Sequence, residues 1–325
     1  MEPIMVTVVC LTYNHEKYIR QALKSMLAQK TNFPYEILVH DDASTDGTTK
    51  IIQEMAAAHP TIRLICQTEN QYSKGVNIFT RFIIPEIKGK YVAFCEGDDF
   101  WTSPLKLYKQ VTLMERHPKA ALCIHNAIRV NRYGKRIGTV NTTDRSRKIS
   151  CEEVIIGGGG FCATNSILAP SQLLLNPPAY FKEMPFDFVL QMYLASCGNT
   201  YCFAEKMSAY RVFADGSWTV RMKENPQSYQ IHHDKAIKVL DKFNQDTGLK
   251  YNDTIKETIL WEEYKYHFNR KDFPILQKEP YRSCKQKKTL SLKNKVILFL
   301  GLYMPPVLQC EMAIKEMIKK AQALK

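Results

Sequence analysis

Glycine and proline are scarce in this 325-residue chain, 14 and 15 residues respectively, which excludes a collagen-like repeat and chain-wide disorder. The ten cysteines form no Cys-x-x-Cys pair, so zinc-ribbon and dithiol redox chemistry are disfavoured. Several thiols sit inside apolar runs, as in Val8-Val9-Cys10-Leu11 and Ala93-Phe94-Cys95, where a reduced, buried thiol is expected. No Gly-x-Gly-x-x-Gly follows the first apolar run and no Walker loop occurs, which removes most of the case for a dinucleotide or P-loop site. No uninterrupted apolar stretch reaches the roughly 18–20 residues that cross a bilayer, because Pro305-Pro306 breaks the best candidate. The opening Met1-Glu2-Pro3-Ile4 lacks the basic segment and apolar core of a secretion signal. A cytoplasmic location, with peripheral attachment to the inner face of the cell membrane at most, is expected.

The composition is that of a folded globular protein, 45% apolar and 24% charged. Its length is about twice a usual domain, which suits one large domain with appendages or two smaller ones. Net charge is +13, but residues 276–325 carry 11 Lys and Arg against 3 Glu. Arg282, Lys285, Lys287, Lys288, Lys293 and Lys295 directly precede the apolar run from Val296 to Met304. A basic cluster beside an apolar segment fits an anionic membrane surface through residues 282–304, and equally a solvated face beside a core helix. Nucleic acid is not expected as a partner, since the acidic cleft described next opposes it.

The first hundred residues alternate between strand and helix periodicity. Val6–Leu11 reads as a strand buried on both faces, and Tyr35–Val39, Ile62–Cys66 and Tyr91–Cys95 as three further strands. Between them, Lys17–Gln29, Thr45–His59 and Val76–Ile87 carry helical apolar stripes. This alternation predicts an α/β, doubly wound, mostly parallel sheet, which binds ligands beyond the carboxyl ends of its strands. Those ends carry Thr12-Tyr13-Asn14, His40-Asp41-Asp42-Ala43-Ser44 and Glu96-Gly97-Asp98-Asp99. Three segments therefore bring carboxylates and amides to one edge, where hard oxygen ligands suit Mg²⁺ or Mn²⁺ together with phosphate oxygens.

Further along, Pro104–His117 reads as a helix, Ala121–Val130 as a strand, 132–148 as a polar excursion and Met207–Phe213 as another strand. Gly157–Gly160 is either a close approach of backbone to ligand or a flexible loop. From Lys223 onward the pattern is helical. His15, His40 and His125 are scattered without metal spacing and are read as structural.

The runs Val8–Asn14, Ile37–Thr48 and Tyr91–Trp101, followed by Thr102-Ser103-Pro104-Leu105-Lys106-Leu107 and Gln110, closely resemble family 2 of the nucleotide-sugar glycosyltransferases. The resemblance covers residues 4 to about 220. It implies a GT-A fold over 1–220, with a nucleotide-binding half at 1–118 and an acceptor-binding half at 119–220, and leaves 221–325 as a helical C-terminal extension. It implies an inverting transfer of a sugar from a nucleotide diphosphate donor, most often UDP-linked, to a hydroxyl of a glycan or lipid-linked acceptor. Thr12, Tyr13 and Asn14 would then line the nucleotide pocket, and Asp41 or Asp42 would bond the base. Asp98 with Asp99 would bridge Mn²⁺ or Mg²⁺ to the diphosphate.

An inverting transfer also needs a carboxylate that deprotonates the acceptor hydroxyl. Asp187, in Met184-Pro185-Phe186-Asp187-Phe188, resembles the family's acceptor-side base, and it also reads as a helix N-cap. Glu96, Trp101, Arg211 and Trp218 are candidates for donor or acceptor contacts, although Trp101 equally suits core packing. Phe213 stands where many family members have His. A sugar-phosphate nucleotidyltransferase would want a Gly-rich basic segment after the first strand, where Asn14-His15-Glu16 is found. A non-catalytic scaffold that binds nucleotide or glycan at the membrane has no evident reason to keep Asp98, Asp99 and Asp187 together.

Overall fold

The computed structural model describes residues 2–182, 186–212, 226–285 and 290–307. The chain forms two compact units, Met1–Phe243 and Asn244–Lys325. Unit 1 is built on one mixed sheet of ten strands.

Its first half is parallel. Strand β1 (Val6–Thr12) pairs on one side with β2 (Tyr35–Asp41), which pairs with β3 (Ile62–Cys66), and on the other side with β4 (Tyr91–Phe94). The central strands β1, β2 and β4 are runs of Val, Ile, Leu and other apolar residues because helices cover both faces of a parallel sheet, whereas β3 at the edge is only partly buried and ends on the exposed Cys66. Helix α1 (Ile19–Leu27) buries Ile19, Ala22, Leu23 and Met26, and α2 (Thr48–Ala58) buries Ile52 and Met55. Parallel register carries the carboxyl ends of β1, β2 and β4 to one edge, with Thr12 opposite Asp41.

The helix expected over Val76–Ile87 is shorter and is not an α-helix: Phe79–Ile83 is a π-helix that passes directly into a 3-10 helix at Ile84–Glu86. Pro85 lies at the start of that second helix, where it cannot supply the N–H that a continuing α-helix requires. The strand pairs bracketing this segment are unaffected, so the crossover still returns β4 to the side of β1.

The second half of the sheet is mixed. Past β4 come β9 (Leu168–Pro170), β6 (Ala120–Val130), β10 (Asn199–Arg211) and β5 (Phe100–Trp101). The expected polar excursion supplies β7 (Arg136–Val140) and β8 (Arg147–Ile149), antiparallel to β6 and β10. Helix α3 (Lys106–Arg116) packs Leu107, Val111 and Met114 into the core under β1, β4 and β6. Ser150 caps α4 (Cys151–Gly157) by a reciprocal box with Glu153, and Gly157–Gly160 is the tight turn that ends it, with Gly158 at φ +60°. Helix α5 (Phe186–Cys197) follows. Strand β10 is longer than expected, and its thirteen residues run past irregular pairing with β6 to deliver Ser208, Tyr210 and Arg211 to the same edge as the acidic loop.

The C-terminal region is helical. Helix α6 (Pro226–Asp246) passes the unit boundary, and α7 (Asn252–Arg270), a turn at Phe273–Gln277 and α8 (Leu292–Tyr303) make up the rest. Unit 2 has its own core of Tyr264, Phe273, Leu276 and Cys284, with Leu298 and Leu300 packed on it. Among the described residues nine cysteines are free and no helix is long and apolar enough to cross a membrane.

Candidate active site

The loops after β1 and β2 are locked together by side chains. Asn14 at φ +56° and Ala43 at φ +60° hold the left-handed region, which non-glycine residues enter at a cost of order 1 kcal/mol. Asn14 N–H donates to Ser44 Oγ at 2.9 Å, and Asn14 Oδ1 accepts from Thr45 N–H at 2.8 Å. Asp41 accepts from the Ser44 and Thr49 hydroxyls. Asp42 accepts from the backbone of Gln71 at 2.8 Å and Tyr72 at 3.0 Å, one donor on each oxygen. Both carboxylates are buried, so these bonds compensate the loss of water. Tyr13 is exposed at the tip of the first loop, whereas Thr12 is buried and its hydroxyl lies 3.2 Å from His15 Nδ1.

The acidic loop after β4 sits directly against the first loop. Gly97 N–H donates to Leu11 O at 2.9 Å. A Cβ on Gly97 would stand 2.7 Å from both Thr12 Oγ1 and His15 Nδ1, so only glycine lets the two loops touch.

Asp99 turns inward, 1% exposed, and its two oxygens are held separately. Asn165 Nδ2 donates to Oδ2 at 2.8 Å, and Arg211 N–H donates to Oδ1 at 2.7 Å. Asn165 in turn donates to Ala209 O and accepts from the Ser208 hydroxyl. Arg211, also buried, is spent internally: Nε on Asp98 O at 2.7 Å, Nη1 on Asn131 O at 3.1 Å, and Nη2 on Gln21 Oε1 at 3.0 Å. Its guanidinium lies 4.5 Å from the Tyr18 ring centroid. Arg211 therefore holds the Asp98-Asp99 backbone in place and offers no open fork to a ligand.

Asp187 lies in the first turn of α5 rather than capping it, where the helix dipole favours a negative charge. The Thr164 hydroxyl hydrogen-bonds its carboxylate. Burial raises the Asp187 pKa above the usual carboxylate range. Glu96 is raised well above its ordinary value by burial, then by the charges of Asp187 and Asp98. Asp99 is raised by burial, then by Asp98 and Glu96. Burial, with all four of these carboxylates nearby, also pushes the Tyr210 phenol up. Residues 96–99 and residue 187, far apart in sequence, thus form one acidic cluster. Among the described residues no three His, Cys, Asp or Glu side chains form an ion site on their own.

Trp101 is placed in the core, 4% exposed, with Nε1 donating to Asn165 O at 3.0 Å and Lys106 Nζ 4.2 Å from its ring centroid. Of its two expected roles, packing is the one that this geometry serves. Trp218 and Phe213 lie outside the described residues. The turn Thr164–Ser166, which ties Asp187 to Asp99, carries no sequence signal beyond three small polar residues.

Residues 7–164 match Glycosyl transferase family 2. The chain is 36% identical over 217 residues to the Mycobacterium tuberculosis protein Rv1520, covering 66% of this chain and 60% of that protein. The chain thus spans less than two thirds of the length of these mycobacterial relatives. Over 111 residues it is 33% identical to WfaP of Escherichia coli, a UDP-Glc:alpha-D-GlcNAc-diphosphoundecaprenol beta-1,3-glucosyltransferase, covering 34% of this chain and 41% of that one. Among solved structures, TarS 1-349 of S. aureus in complex with UDP-GlcNAc superposes with a TM-score of 0.60 at 14% identity, covering 92% of this chain and 79% of that one. The mannosyltransferase PcManGT of Pyrobaculum calidifontis, in complex with GDP-Man and Mn2+, gives 0.51 at 16% identity, covering 93% and 88%. The sheet and its flanking helices are those of the GT-A fold.

Proposed function

We propose that the protein is an inverting glycosyltransferase of polysaccharide biosynthesis, a reading that the match of residues 7–164 to Glycosyl transferase family 2 supports. It moves a hexosyl or hexosaminyl group from a UDP-sugar to a hydroxyl of a lipid-linked saccharide. UDP is favoured as the donor nucleotide by the UDP-GlcNAc complex of TarS and by the UDP-glucose specificity in the name of WfaP. A lipid-linked acceptor is favoured by the diphosphoundecaprenol in that same name.

The observation that carries the reading is the placement of Glu96, Asp98 and Asp99 in the loop after β4, tied at Gly97 to the loop after β1, within the residues that match the family. Carboxylates gathered beyond the carboxyl ends of such strands are a site for positive charge. The donor set fits a hard divalent cation, which a few carboxylates bind together with diphosphate oxygens and water. Asp98 would hold it, with Asp99 behind, its own oxygens fixed by Asn165 and Arg211. Mn²⁺ or Mg²⁺ bound there supplies Lewis-acid stabilisation of the departing diphosphate.

The remaining roles belong to the chain itself. Thr12, Tyr13 and Asn14 wall the nucleotide site. Asp42, with one donor per oxygen against three donors on Asp41, has the greater capacity left to accept the base N–H. Asp187 takes the proton of the attacking acceptor hydroxyl. Its raised pKa makes it a better proton acceptor than an ordinary carboxylate, and the Thr164 hydroxyl orients it. Glu96 stands between donor and acceptor groups.

Asp187→Asn tests the assignment, since it is nearly isosteric and removes only the base. UDP binding is expected to persist while transfer from a UDP-sugar falls by about 100-fold or more. Undiminished transfer by this variant removes Asp187 from the mechanism.

A further inference from the structure

Helix α8 (Leu292–Tyr303) presents an apolar stripe to solvent that its own packing does not account for. Its inner face is fixed: Gly301 lies so close to Phe273 that a Cβ there would stand 2.2 Å from the ring, and Ile297 and Leu298 pack on the unit 2 core. With that face down, Leu292, Val296, Phe299 and Tyr303 must line the opposite side, at spacings of four, three and four residues. They are 79%, 49%, 54% and 66% exposed. Met304 and Val307 continue the stripe. The Phe299 and Tyr303 rings sit 5.1 Å apart and form one aromatic patch. Soluble surfaces seldom expose apolar groups so contiguously without a partner.

The charge around the stripe indicates that partner. Lys293 and Lys295 fall in the first turn of the helix, where the helix dipole disfavours cations. In sequence they follow Arg282, Lys285, Lys287 and Lys288, in a tail with 11 basic and 3 acidic residues in which Lys285 is paired with Glu257 at 2.9 Å. Like charge opposes pairing of this face with a second copy of itself, whereas an anionic surface relieves both the dipole conflict and the repulsion. At about 1.5 Å per residue, a helix of twelve residues reaches roughly 18 Å, too short to cross a bilayer. It is long enough to lie in the interface, where Tyr and Phe settle at headgroup depth.

We propose that the outer face of α8, Leu292, Val296, Phe299 and Tyr303, docks on an anionic lipid surface, to which the net positive charge of this part of the chain attracts it. The surface is formed by unit 2 alone and does not depend on the sugar-transfer reading.

The test is flotation of the full chain with phosphatidylcholine vesicles, with and without phosphatidylglycerol. Binding is expected only with phosphatidylglycerol, to weaken at high salt, and to fall at least about tenfold in Phe299→Glu/Tyr303→Glu. A milder Phe299→Ser/Tyr303→Ser variant is expected to fall in the same direction. The nucleotide-induced thermal shift is the control, and it is expected to be unchanged in both variants, since unit 1 holds that site. Absence of binding to anionic vesicles overturns the proposal, as does equal binding by both variants. A concentration-dependent dimer that the Glu variant abolishes, without vesicle binding, overturns it in favour of a second copy.

Discussion

The backbone N–H of Arg211 donates to Asp99 Oδ1 at 2.7 Å while the guanidinium of the same residue donates to Asp98 O at 2.7 Å. The last residue of β10 thereby clamps the loop after β4 from both its side chain and its main chain, across 112 positions of sequence. Together with the Asn165 amide on Asp99 Oδ2, this clamp keeps Asp99 turned inward beside the adjacent Asp98.

Arg211→Ala is therefore expected to act at a distance from any ligand. It strips donors from Asp98, Asn131 and Gln21 and removes a buried cation, so a loss of about 3 kcal/mol or more is expected. Arg211→Lys keeps the charge but not the fork. Denaturant unfolding of both variants, alongside UDP binding, checks whether stability and affinity fall together as a positioning role requires.

Gly97→Ala places a methyl group 2.7 Å from Thr12 Oγ1 and His15 Nδ1. The expected cost is about 1–3 kcal/mol, and UDP affinity should fall because the first loop must move away from the acidic one. A variant with wild-type melting temperature and wild-type UDP affinity would show that the loops do not need this contact.

Lys106 gives a pH signature that is independent of the site. Its ammonium is fully buried, has no hydrogen-bond partner among the described residues and lies over Trp101, and burial pushes its pKa down to about 7. The unfolded chain then binds a proton that the folded chain lacks between about 7 and about 10.4, so this residue's contribution to stability rises with pH across that window. Below it both states are protonated and the cost of the buried charge is constant. Lys106→Met is expected to remove this rise, measured as the difference in melting temperature between the two proteins from neutral to alkaline pH. Parallel curves would mean that the ammonium finds a partner in solution.

What the sequence made legible follows from the physics of each element. Val6–Thr12, Tyr35–Asp41 and Tyr91–Phe94 are buried on both faces, so their apolar runs announce them and their carboxyl ends announce the site. Pro85 is the one residue in Val76–Ile87 that marks the change of helix type, because it lacks the N–H of a continuing α-helix. Strands β7 and β8 lie exposed at the sheet margin, where polar residues are tolerated and no alternation marks them. Asn165 and Thr164 were invisible because their role is purely spatial: a three-residue turn bridges Asp99, 66 positions earlier, to Asp187. Trp101 reads alike whether it faces a sugar or the core, and only the bond from Nε1 to Asn165 O separates the two.

The central claim is that the acidic edge binds a metal–nucleotide complex, and thermal unfolding with UDP, with and without Mn²⁺, tests it most directly. At a hundredfold excess over Kd, binding to the native state adds about 2.7 kcal/mol, or roughly 5–10 °C in melting temperature. The account predicts a shift of that order with UDP and Mn²⁺ together, little with either alone, and its loss in Asp98→Ala. An equal shift in Asp98→Ala, or none with any nucleoside diphosphate in the wild-type protein, would contradict it.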